Sequence, residues 1–297
     1  MEQETIRQET VKQETVKVMG AVIRRSPVSS VCEPLCDFLK NGFCKTCTCT
    51  KCERGYLIDE WRERQLQGDT TCGPRECDCR ERARTEKRLE DAGLKALAER
   101  CTFASFRTEK DWQKIMKNKA AAYLAGHRNE AADEPADCKR LGFFVAGQSG
   151  CGKTHLCVAI CNEIIAKGGQ LRYFCWVEDG THVKQCLRKG EGYEEEIQKL
   201  IEADYLYIDD LFKQAITEAD LRLAFEIINS RYNDRKPTII SSERTIEYIR
   251  GLPDDRGQAI AGRIFEGCGR GKYCLQLSGE DKDMRFRRPG PASSPSP

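Results

Sequence analysis

The sequence predicts an α/β fold built on a parallel sheet with helices on both faces. Three observations carry this. Short apolar runs alternate with amphipathic stretches between about residues 141 and 242. The first run, LGFFVAG (141–147), passes directly into GQSGCGKT (147–154), which fits G-x-x-x-x-G-K-[ST] in full. A later run, YLYIDD (205–210), ends in two carboxylates. Strands that alternate with helices pair in parallel, because each crossover helix returns the chain to the same end of the sheet.

LGFFVAG reads as a buried strand, apolar throughout and stopped by glycine. THLCVAICNEIIAKGG follows as a helix with Leu156, Ile160 and Ile164 on one face, ended by Gly168 and Gly169. QLRYFCWV is a second strand, EEEIQKLIEA a helix and DYLYIDD a third strand. ITEADLRLAFEIINSRY opens with a capping box, Thr217 as the cap and Asp220 as its partner, with Ile216 stapling to Leu221. PTIISSE is a fourth strand. The interval between Lys153 and Asp209 has room for one helix, one strand and another helix. The Asp-bearing strand can therefore lie beside the phosphate-loop strand.

A chain of 297 residues suggests two domains. Residues 1–30 form a polar lead-in with a five-residue repeat, QETIR, QETVK, QETVK, which fits no helical period. Residues 31–80 are cysteine-rich, 81–100 read as a charged helical linker, and 101–288 hold the α/β domain. Residues 289–297, in RRPGPASSPSP, are expected to be disordered. The net charge is only +2, so no global polycation points to nucleic acid. No apolar run reaches the roughly 18 residues a membrane span needs. The N-terminus is polar throughout and lacks the form of a signal peptide. A cytoplasmic chain is expected, and in a reducing compartment clustered cysteines bind metal more often than they form disulfides.

The chemistry of the loop follows from its residues. Gly147, Gln148, Ser149, Gly150, Cys151 and Gly152 let backbone N–H groups turn inward around phosphates, at the positive end of a helix. Lys153 is expected to reach the β- and γ-phosphates, and the Thr154 hydroxyl to bind Mg²⁺. Asp209, at the end of a strand, is expected to hold Mg²⁺ or its water. Asp210 is expected to orient or deprotonate the attacking water.

Residues 32–79 contain nine of the eighteen cysteines. Cys49-x2-Cys52 and Cys77-x-Cys79 form two tight pairs, the pattern of a closed Zn²⁺ tetrahedron in a region too poor in apolar residues to fold alone. Cys32-x3-Cys36 with Cys44-x2-Cys47 makes a possible second set, leaving Cys72 over. Spacing leaves open one zinc or two, and an iron–sulfur cluster also suits four thiolates. Cys157, Cys161 and Cys175 fall in a packed helix and a strand and read as small core residues.

GQSGCGKTHLCVAICNEII, YLYIDDLFK, FEIINSRY and KPTIISSERT together resemble the bacterial and phage helicase loaders of the DnaC/DnaI type, which are AAA+ ATPases. The resemblance begins at TFASFRTEKDWQ and covers about residues 101–288. CTKCERGYLI and CDCRERAR resemble the cysteine-bearing N-terminal region of such loaders. The resemblance implies ATP with Mg²⁺, assembly into an AAA+ oligomer, single-stranded DNA, and a replicative hexameric helicase gripped by a zinc-bearing N-terminal domain. Glu243 takes the sensor-1 position where members usually carry Asn, with Ser242 as a possible stand-in. Arg263, in GRIFEGCGR, is the first choice for an arginine finger acting on a neighbour's ATP, and Arg270 the second. Arg285 matches the sensor-2 arginine. A transposition-helper ATPase of the same fold, IstB-like and acting with a transposase on duplex DNA, is the alternative.

Overall fold

The structure is a computed structural model that describes residues 17–18, 21–22, 56–67, 77–126, 141–279 and 282–284. The chain divides into two compact units, 1–83 and 84–297.

In the first unit, Lys17–Val18 (β1) and Ala21–Val22 (β2) pair antiparallel, and Ile58–Leu66 forms helix α1. Tyr56, Ile58 and Cys77 are buried. Arg80 donates to the Tyr56 hydroxyl, and its guanidinium lies 4.7 Å from the centre of the Tyr56 ring. Helix α2 spans Asp78–Asp91.

The second unit is built on a five-stranded parallel sheet. Its strands are β3 (Phe143–Ala146), β4 (Leu171–Cys175), β5 (Tyr205–Leu211), β6 (Thr238–Ser242) and β7 (Cys274–Gln276). Their order is β4-β5-β6-β3-β7. The adjacency that the spacing allows is not realised. The Asp-bearing strand β5 does not lie beside the phosphate-loop strand β3, because β6 is inserted between them. Sequence spacing limits only how far a crossover can reach; it does not say which strands the later chain will separate.

Helix α5 (Lys153–Ala166) follows β3 and is buried nearly all round. Leu156, Ile160 and Ile164 face the core as the periodicity requires, and Cys157 and Cys161 fill it as small side chains. Each large aliphatic buried in this way contributes about 1.5–3 kcal/mol relative to exposure. The helices α7 (Tyr193–Glu202) and α8 (Glu218–Asn233) lie where the amphipathic runs put them. The capping box on α8 forms in both directions between Thr217 and Asp220. Asp220 also takes an ion pair from Lys184 at 2.6 Å, on the intervening helix α6 (Asp179–Lys189). That helix was not expected; DGTHVKQCLRK offers little apolar sequence beyond Val183, Cys186 and Leu187.

Arg231, on α8, is fully buried. It donates to the carbonyls of Leu200, Ile201 and Ala203 at the end of α7, to Pro237 O and to Thr238 Oγ1. It satisfies carbonyls at the end of α7 that lack partners within the helix. Burial lowers its pKa to about 10.

The expected linker is not one helix. It is α2 and a short α3 (Lys95–Ala98), broken where Gly93 turns at φ 76°. Ala92, Leu94 and Ala98 are buried, the Ala92 carbonyl accepts from Tyr173 N at 3.1 Å, and Asn162 Nδ2 on α5 donates to Ala98 O at 3.0 Å. Residues 92–98 are thus part of the α/β unit. Helix α4 (Asp111–Gly126) buries Met116, Ala120 and Tyr123 at helical spacing, with the Tyr123 ring against Phe143 and Tyr273. Short α9 (Ile246–Arg250) and longer α10 (Asp255–Gly267) lead into β7. Among the described residues, no helix is long and apolar enough to cross a membrane.

Candidate nucleotide site

The loop between β3 and α5 holds its shape through its glycines. Gly150 (φ 78°) and Gly152 (φ 90°) are left-handed, a conformation that costs other residues roughly 1 kcal/mol or more. Gly147 is needed for closeness: a Cβ there would sit 3.0 Å from Leu277 Cβ and 3.1 Å from Cys151 Sγ. Lys153 is buried, with Nζ curled back over the loop onto the carbonyls of Gly147 (2.9 Å) and Gln148 (3.0 Å).

Thr154, the next residue, reaches the acidic strand. Its Oγ1 donates to Asp209 Oδ1 at 3.1 Å. The inserted strand β6 does not block this, because the residue it presents there is small: Ser241 Oγ donates to Asp209 Oδ1 at 2.5 Å. Tyr207 OH donates to the same oxygen at 2.6 Å, and Tyr173 OH, from β4, to Oδ2 at 3.2 Å. The structure therefore brings Thr154, next to Lys153 in the chain, against Asp209. Burial holds the Tyr207 and Tyr173 phenols well above the usual tyrosine range, so both remain donors. The hydroxyl and carboxylate donor set at Thr154 and Asp209 is hard oxygen, which fits Mg²⁺.

Asp210 follows at an irregularity in β5. It has φ 57°, and its N–H donates to Ser241 Oγ at 3.0 Å. Its carboxylate accepts from Lys213 Nζ at 2.5 Å, and this bond raises the pKa of Lys213. Phe212 is also left-handed (φ 59°) and buried, a backbone state that costs of order 1–3 kcal/mol and gathers at functional sites. Glu243, just beyond β6, is half-buried, and its charge is felt at Cys151 and Lys213. Ser242 does not turn to the site: its hydroxyl donates to Leu211 O at 2.7 Å.

The arginines divide. Arg263, on α10, donates through Nε to Asn229 Oδ1 on α8 and lies 5.8 Å from the ring centres of Phe225 and Tyr232. Arg270 is exposed, at φ 51° in the turn before β7. Arg285 lies outside the described residues, as do Cys49, Cys52, Cys32, Cys36, Cys44 and Cys47. Cys77 is buried and Cys79 half-buried; among the described residues no group of three or more metal-ligating side chains gathers.

Several contacts at the loop carry no local signal in the sequence. With its amide oriented to satisfy both ends, Gln148 accepts from Lys282 N (3.0 Å) and Asp283 N (2.7 Å). Met284 N donates to Gly150 O at 3.1 Å, and Met284 and Phe106 both crowd Gly152. Tyr207 was the most readable of the missed residues: it stands two before Asp209 on one strand and so shares its face.

Residues 138–269 match the family of IstB-like ATP binding proteins. The chain is 28% identical over 252 residues to the phage-like element PBSX protein XkdC of Bacillus subtilis (strain 168), covering 82% of this chain and 86% of that protein. It is 25% identical over 172 residues to the replicative helicase loader DnaC of Escherichia coli (strain K12), covering 58% of this chain and 66% of that one. A crystal structure of the DnaC helicase loader aligns with a TM-score of 0.50 at 19% identity, over 61% of this chain and 98% of that chain, a likeness of fold. Phosphate loop, facing acid and parallel sheet together make this core similar to the IstB-like ATP binding proteins over residues 138–269 and to DnaC in fold.

Proposed function

We propose that this chain is an ATP-dependent helicase loader, which binds a replicative ring helicase and single-stranded DNA and hydrolyses ATP in an oligomer. The observation that carries the enzymatic half is the Thr154–Asp209 hydrogen bond beside the Lys153 loop. Lys153 would leave its two carbonyls for the β- and γ-phosphates, and the loop N–H groups would bind the remaining oxygens. Thr154 and Asp209 would hold Mg²⁺, which neutralises the charge of the phosphates when bound. Asp210 would orient and deprotonate water once its ion pair with Lys213 opens. Arg263 would serve the site of a neighbouring subunit after leaving Asn229, with Arg270 as second choice, Glu243 in the sensor-1 position and Arg285 in the sensor-2 position.

The likeness to a protein named replicative helicase loader supports the partner. The cysteine region, with Cys49, Cys52, Cys77 and Cys79 as Zn²⁺ ligands and Cys32, Cys36, Cys44 and Cys47 as a possible second set, would grip the helicase. Capture with tagged full-length chain from its native host tests this: a hexameric helicase in the eluate is expected, and its absence with a transposase present would overturn it. The match to IstB-like proteins favours that second outcome, a transposition helper acting on duplex DNA, as the alternative.

A further inference from the structure

We propose that Tyr207, together with Ser241, is a positioning residue for the acidic group of the phosphate site: the two hydroxyls commit Asp209 Oδ1 to the protein and leave Oδ2 as the oxygen presented to a divalent cation. The inference rests on the nucleotide-site reading above.

The two carboxylate oxygens are not equivalent. Oδ1 accepts from Tyr207 OH at 2.6 Å, Ser241 Oγ at 2.5 Å and Thr154 Oγ1 at 3.1 Å, whereas Oδ2 accepts from Tyr173 OH at 3.2 Å. An ionised carboxylate offers about four lone-pair sites in all, so Oδ1 is saturated and Oδ2 is not. The two short donors are also fully buried. Tyr207 and Ser241 have no exposed surface, and the Tyr207 ring packs 5.4 Å from that of Tyr173. Thr154 is the long contact on Oδ1, and the one whose hydroxyl can leave for a cation without freeing the carboxylate to rotate.

All four donors are neutral hydroxyls. A lysine or arginine in their place would hold Asp209 equally well but would cancel its charge and compete with the cation. Hydroxyls fix the group and leave its charge available. Groups that orient a metal ligand typically change metal affinity by about 10–100-fold when removed.

The test uses the full chain with Tyr207→Phe and, separately, Ser241→Ala. Three quantities are read: Mn²⁺ affinity in the presence of nucleotide, from the electron paramagnetic resonance of free Mn²⁺; affinity for a fluorescent ATP analogue in EDTA; and the thermal midpoint. Tyr207→Phe keeps the ring and should weaken Mn²⁺ binding by about 10–100-fold, with metal-free nucleotide affinity unchanged because Lys153 and the loop are intact. Wild-type Mn²⁺ affinity in Tyr207→Phe would overturn the proposal, as would an equal loss of metal-free nucleotide binding, which marks a merely structural role. If Tyr207→Phe does not fold, Ser241→Ala is read by the same criteria. A wild-type chain that binds no nucleotide would instead sink the site reading itself.

Discussion

Thr154 Oγ1 lies 3.1 Å from Asp209 Oδ1 although the strands that carry the two residues into the site are separated by a third. The contact closes the phosphate loop against the acidic strand and leaves Lys153 beside them, its ammonium on two loop carbonyls that a nucleotide's phosphates can replace. Lys153→Ala should therefore lower affinity for a fluorescent ATP analogue by about 10–100-fold, the range for hydrogen bonds to charged groups. Unchanged affinity would remove the loop from the binding site.

Asp210 stands one residue on and does something different. Its carboxylate is held by Lys213. Asp210→Asn should leave nucleotide affinity within about twofold while steady-state hydrolysis falls by about 10²–10⁴, the usual contribution of a positioned base. Wild-type turnover in this variant would reject the assignment.

Arg263 is tied to Asn229 and lies beside the rings of Phe225 and Tyr232 within its own subunit. If it serves a neighbour's ATP, Arg263→Ala should bind nucleotide normally and lose turnover in the assembly. Mixing it with Asp210→Asn pairs an intact acid from one subunit with an intact arginine from the other, so turnover should reappear at mixed interfaces. No recovery at any mixing ratio would assign Arg263 to packing between α8 and α10.

Asp220 offers a pH test of the fold. Burial pushes its carboxyl up, but the bonds from Lys184 and Thr217 outweigh this and hold it below the usual range. The unfolded carboxyl, near 3.9, then binds its proton more readily than the folded one. The stability it supplies is fully present above about pH 4 and is lost as pH falls through the lower folded value. Asp220→Asn should cost about 1–3 kcal/mol at neutral pH through the cap and the ion pair. The gap to wild type should narrow on acidification, in denaturant unfolding followed at several pH values. A gap independent of pH would mean that the ion pair contributes nothing.

Local pattern made much of this readable. The strands β3, β4, β5 and β6 are apolar runs, and the loop is a motif whose spacing is its mechanism. The strand order was not readable, because it depends on where residues 238–242 return, and no pattern within β3 or β5 records that. The clamp on Asp209 joins Tyr173, Tyr207 and Ser241 from three strands, so it exists only once the order is set. Helix α6 has too few apolar positions to announce itself, and the left-handed backbone at Asp210 and Phe212 breaks the usual residue preference.

The cysteine pairs give the last prediction. Cys49, Cys52, Cys77 and Cys79 should hold one Zn²⁺ per chain, because two close pairs suit a tetrahedral site and residues 32–79 have little apolar surface to bury. Elemental analysis of freshly reduced protein should give about one zinc, or about two if Cys32, Cys36, Cys44 and Cys47 form a second site. Thiolates must lose their protons to bind, so zinc should leave as pH falls. Chelation should unfold the N-terminal region and abolish helicase capture. Binding of the fluorescent ATP analogue should survive it, because the ATP-binding core buries its own strands and draws on none of these thiols. Iron absorbance, or no metal in reduced protein, would overturn the assignment.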